Sequence, residues 1–175
     1  TGETEYAGKR LLVCTGSEPI LPPIPGLSDV VASGFGITNR EVLSLKEAPA
    51  CLCIVGGGVI GLEMACYYRA AGSEVIVVEM LPTIGGPLDK DISAALRKHM
   101  EKTGVVFQTS TKAVKFVSGK VFCENDSGAF VVECSKVLLS IGRRAVTHGY
   151  GLETLNPMLE RGHIVTDEYL RTSVP

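Results

Sequence analysis

The stretch that most constrains this chain is residues 51–79, CLCIVGGGVIGLEMACYYRAAGSEVIVVE. Residues 51–55 are a short apolar run with the length of a strand buried on both faces. Gly56, Gly58 and Gly61 follow as G-x-G-x-x-G. Residues 59–71 then carry the apolar spacing of a helix. Ile60, Met64, Tyr67, Tyr68 and Ala71 are expected on its inner face, with Gly72 as its stop. Residues 75–78 return as a β-branched strand, closed by the acid Glu79. The pattern predicts strand, tight turn, helix and parallel strand.

Each glycine in that turn has its own physical task. Gly56 permits the sharp passage from strand to helix, Gly58 leaves the backbone open to a pyrophosphate, and Gly61 allows close helix–strand packing. The unpaired N–H groups at the helix start, with the positive end of its dipole, favour phosphate. Glu79 lies roughly twenty residues on, where a carboxylate accepts hydrogen bonds from a ribose 2′-hydroxyl. A carboxylate there repels a 2′-phosphate, so NAD(H) is expected and not NADP(H). The same kind of unit also holds the adenosine ribose of FAD, which stays open as an alternative at this point.

The chain has 175 residues, enough for one domain with a core and attached pieces. Its formal charge is −2, without a basic block, which argues against nucleic-acid and membrane-surface partners. Glu63 and Arg69 interrupt the longest apolar stretch, so no membrane span is expected. No leader pattern opens the sequence, and a cytoplasmic location is the expectation. The six cysteines lack C-x-x-C or zinc-type spacing and read as small buried hydrophobes in a reducing compartment; no metal site is expected.

Before the central unit, residues 10–14 read as a strand. Pro19, Pro22, Pro23 and Pro25 then force an extended connection and mark a boundary. Thr38 and Glu41 have capping-box spacing, predicting a short helix to about residue 45. After an irregular loop at 80–88, residues 89–103 read as an amphipathic helix with Ile92, Ala95, Leu96 and Met100 inward. Residues 105–108 form the next strand. Residues 114–117, 121–124 and 130–134 alternate as an antiparallel meander, with turns at Gly119 and 125–128. A final apolar strand spans 137–141, and residues 145–159 read as loop. The predicted class is α/β: a Rossmann-like parallel sheet flanked by helices, with a three-stranded antiparallel β-meander in place of one crossover.

The motifs VCTGSEPILPPIPG, IVGGGVIGLEMA, VIVVEMLPTIGGPLDKDIS, VLLSIGRR and GHIVTDEYLRTSVP occur in that order. Together they resemble the flavin-dependent pyridine nucleotide–disulfide oxidoreductases, their dihydrolipoamide-oxidising branch most of all. The resemblance implies that residues 1–26 are the exit segment of an FAD domain with its linker, 27–148 the NAD(H)-binding domain, and 149–175 a connection back toward the FAD domain. It implies that Gly56, Gly57, Gly58, Val59, Ile60, Gly61, Leu62 and Glu63 cradle the pyrophosphate, with Glu63 beside the nicotinamide. Glu79 would hold the adenosine ribose, Ala113 would touch the adenine through its backbone, and Gly142 would lie near the cofactor. Valine is more usual where Ala113 stands.

Thr15, Gly16 and Ser17 match the segment near the flavin in the parent protein. The family's redox disulfide, its first FAD glycine turn and its His-Glu pair find no match here. The resemblance therefore implies an NAD-binding region of a larger enzyme, with no catalytic residue of its own. The parent would be a homodimer acting with a lipoyl-bearing protein, turning dihydrolipoamide and NAD+ into lipoamide and NADH. Another flavin-dependent disulfide or NADH reductase of the group, or a stand-alone non-catalytic NAD(H)-binding module, are the alternatives.

Overall fold

In the computed structural model, which describes Thr4 and residues 6–174, the elements run in chain order as follows. They are β1 (Ser17–Pro19), α1 (Leu27–Ala32), β2 (Gly36–Ile37), β3 (Cys51–Val55), α2 (Val59–Ala70), β4 (Glu74–Val78), α3 (Lys90–Lys102) and β5 (Val105–Gln108). Then follow β6 (Lys112–Val117), β7 (Lys120–Asn125), β8 (Gly128–Glu133), β9 (Lys136–Leu139), β10 (Arg143–Ala145), β11 (Leu159–Glu160) and β12 (His163–Ile164). The chain divides into two compact units, Pro19–Gly142 and the combination of Thr1–Glu18 with Arg143–Pro175.

The Pro19–Gly142 unit is built on a parallel five-stranded sheet of order β2-β9-β3-β4-β5. Alternate residues of each strand serve opposite faces. Leu52 and Ile54 of β3, with Val75 and Val77 of β4, pack with Leu62, Ala65 and Tyr68 of α2 and Met100 of α3. Cys53 and Val55, with Val78 of β4 and Val137 and Leu139 of β9, pack the other way. Their partners are Leu27 and Val30 of α1 and Phe116, Val121, Cys123 and Val132 of the β6-β7-β8 meander. The antiparallel meander thus covers the face that a crossover helix would cover. Burial on both faces explains why β3 is apolar at every position. Leu52 and Ile54 are fully buried, and truncating either to Ala would cost about 2–5 kcal/mol.

Three expectations are corrected here. Residues 10–14 are not a strand; Leu11 and Leu12 are 76% and 80% exposed, and no neighbouring strand supplies ladder hydrogen bonds among the described residues. The inward face of α2 is Gly61, Leu62, Ala65 and Tyr68, while Tyr67 and Ala71 are exposed. On α3, Ser93, Leu96 and Met100 face in, whereas Ile92 and Ala95 are exposed. Ser93 can be buried because its hydroxyl donates to the Ile84 carbonyl at 2.8 Å.

The Thr38 N–H and hydroxyl both donate to the Glu41 carboxylate, at 2.8 and 2.6 Å, and Thr38 Oγ1 accepts from the Arg40 N–H at 3.3 Å, which is one half of the expected capping box. In place of the expected helix there is a single 3-10 turn at Val42–Ser44, whose N-cap is Glu41 with no side-chain cap. Helix α1 and the two-residue strand β2 were not expected from the sequence pattern. The cysteines are all free; Cys14 and Cys66 are exposed rather than buried.

In the unit formed by Thr1–Glu18 with Arg143–Pro175, β1 pairs with β10 and β11 pairs with β12. A 3-10 turn at Leu152–Leu155 lies within residues expected as loop. Among the described residues, no helix is long and apolar enough to cross a membrane.

Candidate functional site

The site grows from the end of β3. Gly56 has φ +108°, and a Cβ there would lie 2.2 Å from the Ser140 carbonyl oxygen, so only glycine fits this turn. Its N–H donates to the Val78 carbonyl at 2.8 Å, which ties the turn to the end of β4. A Cβ on Gly61 would lie 2.2 Å from the Gly56 carbonyl oxygen, so the first turn of α2 sits directly against the strand end. Gly58 differs from both. It is the N-cap of α2, extended at φ −75° and ψ −179°, and a Cβ there would meet nothing within 4 Å. No side chain caps the helix start. The result is a backbone N–H surface at the positive end of a twelve-residue helix, open where Gly58 stands.

Glu79 borders this turn. Its Oε2 accepts from the Gly57 N–H at 2.6 Å, and its Oε1 accepts from the Leu81 N–H at 2.7 Å. The carboxylate is half-buried, so it reaches the turn and still borders solvent. No cation follows it; the next residues are Met80, Leu81 and Pro82.

The remaining expected residues distribute as follows. Val59 is exposed and Ile60 half-buried, while Leu62 is buried in the helix-side core and its N–H donates to the Gly58 carbonyl at 3.0 Å. Glu63 is exposed in the first turns of α2. Ala113 lies on β6, shortly after Thr111, whose N–H donates to the Glu79 carbonyl at 2.9 Å. Gly142 follows β9 with φ +117°, and its carbonyl accepts from the Ile20 N–H at 3.0 Å. Ser140, two residues earlier, is the residue against Gly56.

Sequence reasoning missed the loop at 84–86. The Gly85 N–H donates to the Gly57 carbonyl at 2.7 Å, and Ile84 is buried. The signal was the Gly85-Gly86 pair, both with positive φ, which the irregular composition around them hid.

These residues fit a dinucleotide: an open glycine, free helix-start amides and a carboxylate at the next strand end. Thr15, Gly16 and Ser17 lie in the other unit. There the Thr15 hydroxyl donates to the Val146 carbonyl at 2.6 Å, the Gly16 carbonyl accepts from the Val146 N–H at 3.0 Å, and Ser17 Oγ accepts from Arg143 Nε at 2.8 Å. Among the described residues, no group of three His, Cys, Asp or Glu could hold a metal ion.

The family model for pyridine nucleotide-disulphide oxidoreductases matches residues 1–175. The chain is 37% identical to a dihydrolipoyl dehydrogenase of Acholeplasma laidlawii, over 95% of this chain and 49% of that protein. It is 41% identical to a dihydrolipoamide dehydrogenase of Chaetomium thermophilum, over 99% of this chain and 35% of that protein. The reduced CoADR-RHD of Bacillus anthracis superposes with a TM-score of 0.77 at 27% identity, over 91% of this chain and 29% of that one. The chain thus spans half or less of the length of these relatives. It belongs to the pyridine nucleotide–disulphide oxidoreductases, a family of enzymes that use flavin and nicotinamide cofactors.

Proposed function

We propose that the Pro19–Gly142 unit binds NAD(H) at the Gly56–Gly61 turn and selects it over NADP(H) through Glu79. The observation that carries this reading is the contrast between Gly58, which faces open space, and Gly56 and Gly61, which are packed against backbone. A turn needing glycine only for sterics would not leave its middle position clear. The helix-start N–H groups of α2 would bind the pyrophosphate, and Glu79 would accept from the adenosine ribose hydroxyls. Met80 and Leu81 offer no positive charge to a 2′-phosphate. Ala113 would touch the adenine through its backbone, Gly142 would border the cofactor, and Glu63 would border the nicotinamide end.

In this reading residues 27–148 are the nucleotide domain of a longer flavoprotein. Residues 1–26, with Thr15, Gly16 and Ser17 near the flavin, and 149–175 belong with its FAD domain. With FAD and NAD+ bound, the cofactors carry the redox chemistry, dihydrolipoamide and NAD+ going to lipoamide and NADH. The share of this chain is to bind the dinucleotide, orient it and choose between its two forms. The parent would be a homodimer acting on a lipoyl-bearing protein. The identity to dihydrolipoyl dehydrogenases supports that substrate. A second reading, another disulfide reductase of the same group, is supported by the match to the family as a whole.

Titration calorimetry of the 175-residue chain tests the proposal. NADH should bind at least about tenfold more tightly than NADPH, a difference on the scale of one charged hydrogen bond. Equal affinities, or heat from neither, would refute it.

A further inference from the structure

We infer that Glu79 is a positioning residue: its carboxylate holds the glycine turn in its binding shape before any dinucleotide arrives. The inference rests on the dinucleotide reading above and adds a second task to the same side chain. Both carboxylate oxygens are engaged by the chain's own backbone, Oε2 by the Gly57 N–H and Oε1 by the Leu81 N–H. The side-chain stem packs on the turn as well; a Cβ on Gly57 would lie 3.2 Å from Glu79 Cβ and from Oε2.

The peptide on the other side of Gly57 is pinned by the same loop, through the Gly85 N–H to the Gly57 carbonyl at 2.7 Å. That loop is in turn anchored by buried Ile84, whose carbonyl takes the Ser93 hydroxyl. The base of the clamp is fixed too. The Glu79 N–H donates to the Gln108 carbonyl at 2.8 Å, and its own carbonyl accepts from the Thr111 N–H at 2.9 Å.

Three consecutive glycines have more conformational freedom to lose on ordering than any other tripeptide. Hydrogen bonds to an ionised acceptor are about twice as strong as neutral ones. A carboxylate spanning Gly57 and Leu81 therefore removes much of that freedom in advance, which raises ligand affinity without a new ligand contact. Each carboxylate oxygen also keeps a second lone pair, so bracing the turn does not exhaust its capacity for ribose hydroxyls.

The two tasks separate with a probe that lacks one of them. 2′,3′-Dideoxyadenosine 5′-diphosphate keeps adenine and pyrophosphate but has no ribose hydroxyls for Glu79. If Glu79 served the ribose alone, Glu79→Gln would leave this probe's affinity unchanged or raise it, because a negative charge near the diphosphate is removed. The clamp predicts a fall of about tenfold, with a similar acceleration of Gly57 and Leu81 amide exchange in the ligand-free chain. Glu79→Asp, which keeps the charge but is one methylene short of Gly57, should move both readouts in the same direction.

Unchanged or tighter probe binding in both variants, with NADH alone weakened, would overturn the inference and leave the dinucleotide reading intact. An unsubstituted chain that binds neither NADH nor the probe would instead remove the dinucleotide reading, and the inference with it.

Discussion

A methyl group on Gly61 would lie 2.2 Å from the carbonyl oxygen of Gly56. The start of α2 and the end of β3 are therefore in backbone contact, and the turn between them has no slack. Gly61→Ala should cost about 1–3 kcal/mol, as overpacking does in a tight interior. Gly56→Ala should cost more, because it adds a φ of +108° to a 2.2 Å approach to Ser140. Urea denaturation of the two variants measures both. Midpoints equal to that of the unsubstituted chain would contradict the packing described.

Arg69 joins the far ends of the two long helices. Its Nε donates to the Thr103 carbonyl at 2.7 Å and its Nη1 to the Ser73 carbonyl at 2.9 Å. Its guanidinium also lies against Gly104, 2.9 Å from where a Cβ would stand. Arg69→Ala should lower stability by about 1–3 kcal/mol, and Arg69→Lys should recover little, since an ammonium cannot reproduce the planar fork. Thermal melts of the two variants that overlay the parent curve would refute this.

Cys123 provides a test at alkaline pH. It is fully buried, and burial, followed by the neighbouring Cys134, pushes its thiol up to about 11 from an ordinary 9.0. Between those values the unfolded chain releases a proton that the folded chain retains. The contribution is complete below pH 9 and is lost as pH rises through 11, by up to about 2–3 kcal/mol. Cys123→Ala lowers stability at every pH through its cavity, but its decline from pH 9 to 11 should be shallower than that of the parent chain. Parallel curves from denaturation at several pH values would count against a buried thiol.

Glu79→Arg should move the NADPH/NADH affinity ratio upward by about tenfold or more, since a guanidinium attracts the 2′-phosphate that the carboxylate repels. Calorimetric titration with both nucleotides reads the ratio directly. A ratio that does not move would remove Glu79 from the ribose.

The central unit was legible because its signals are local and mutually consistent. Residues 51–55 became β3 as read, and the glycines at 56, 58 and 61 took the separate environments their spacing implies. The meander was legible from its alternation and its two turns. What the sequence hid depends on partners. The apolar run at 10–14 has strand composition but no neighbouring strand among the described residues. Ser93 is not among the residues whose apolar spacing points inward, yet a single carbonyl, that of Ile84, satisfies it inside. Strand β2 has only two residues, Gly36 and Ile37, and exists because β9 lies beside them. The bond from Gly85 to Gly57 joins residues far apart in sequence, and neither carries a side chain to announce it.

The most direct measurement concerns Gly58. Its backbone angles suit any residue and a Cβ there meets open space, so Gly58→Val should fold as the parent chain does. If the turn binds the pyrophosphate, calorimetry with NADH should show binding to the parent chain and none to Gly58→Val, while the circular dichroism spectra coincide. A correctly folded Gly58→Val that binds NADH as tightly as the parent would contradict the account.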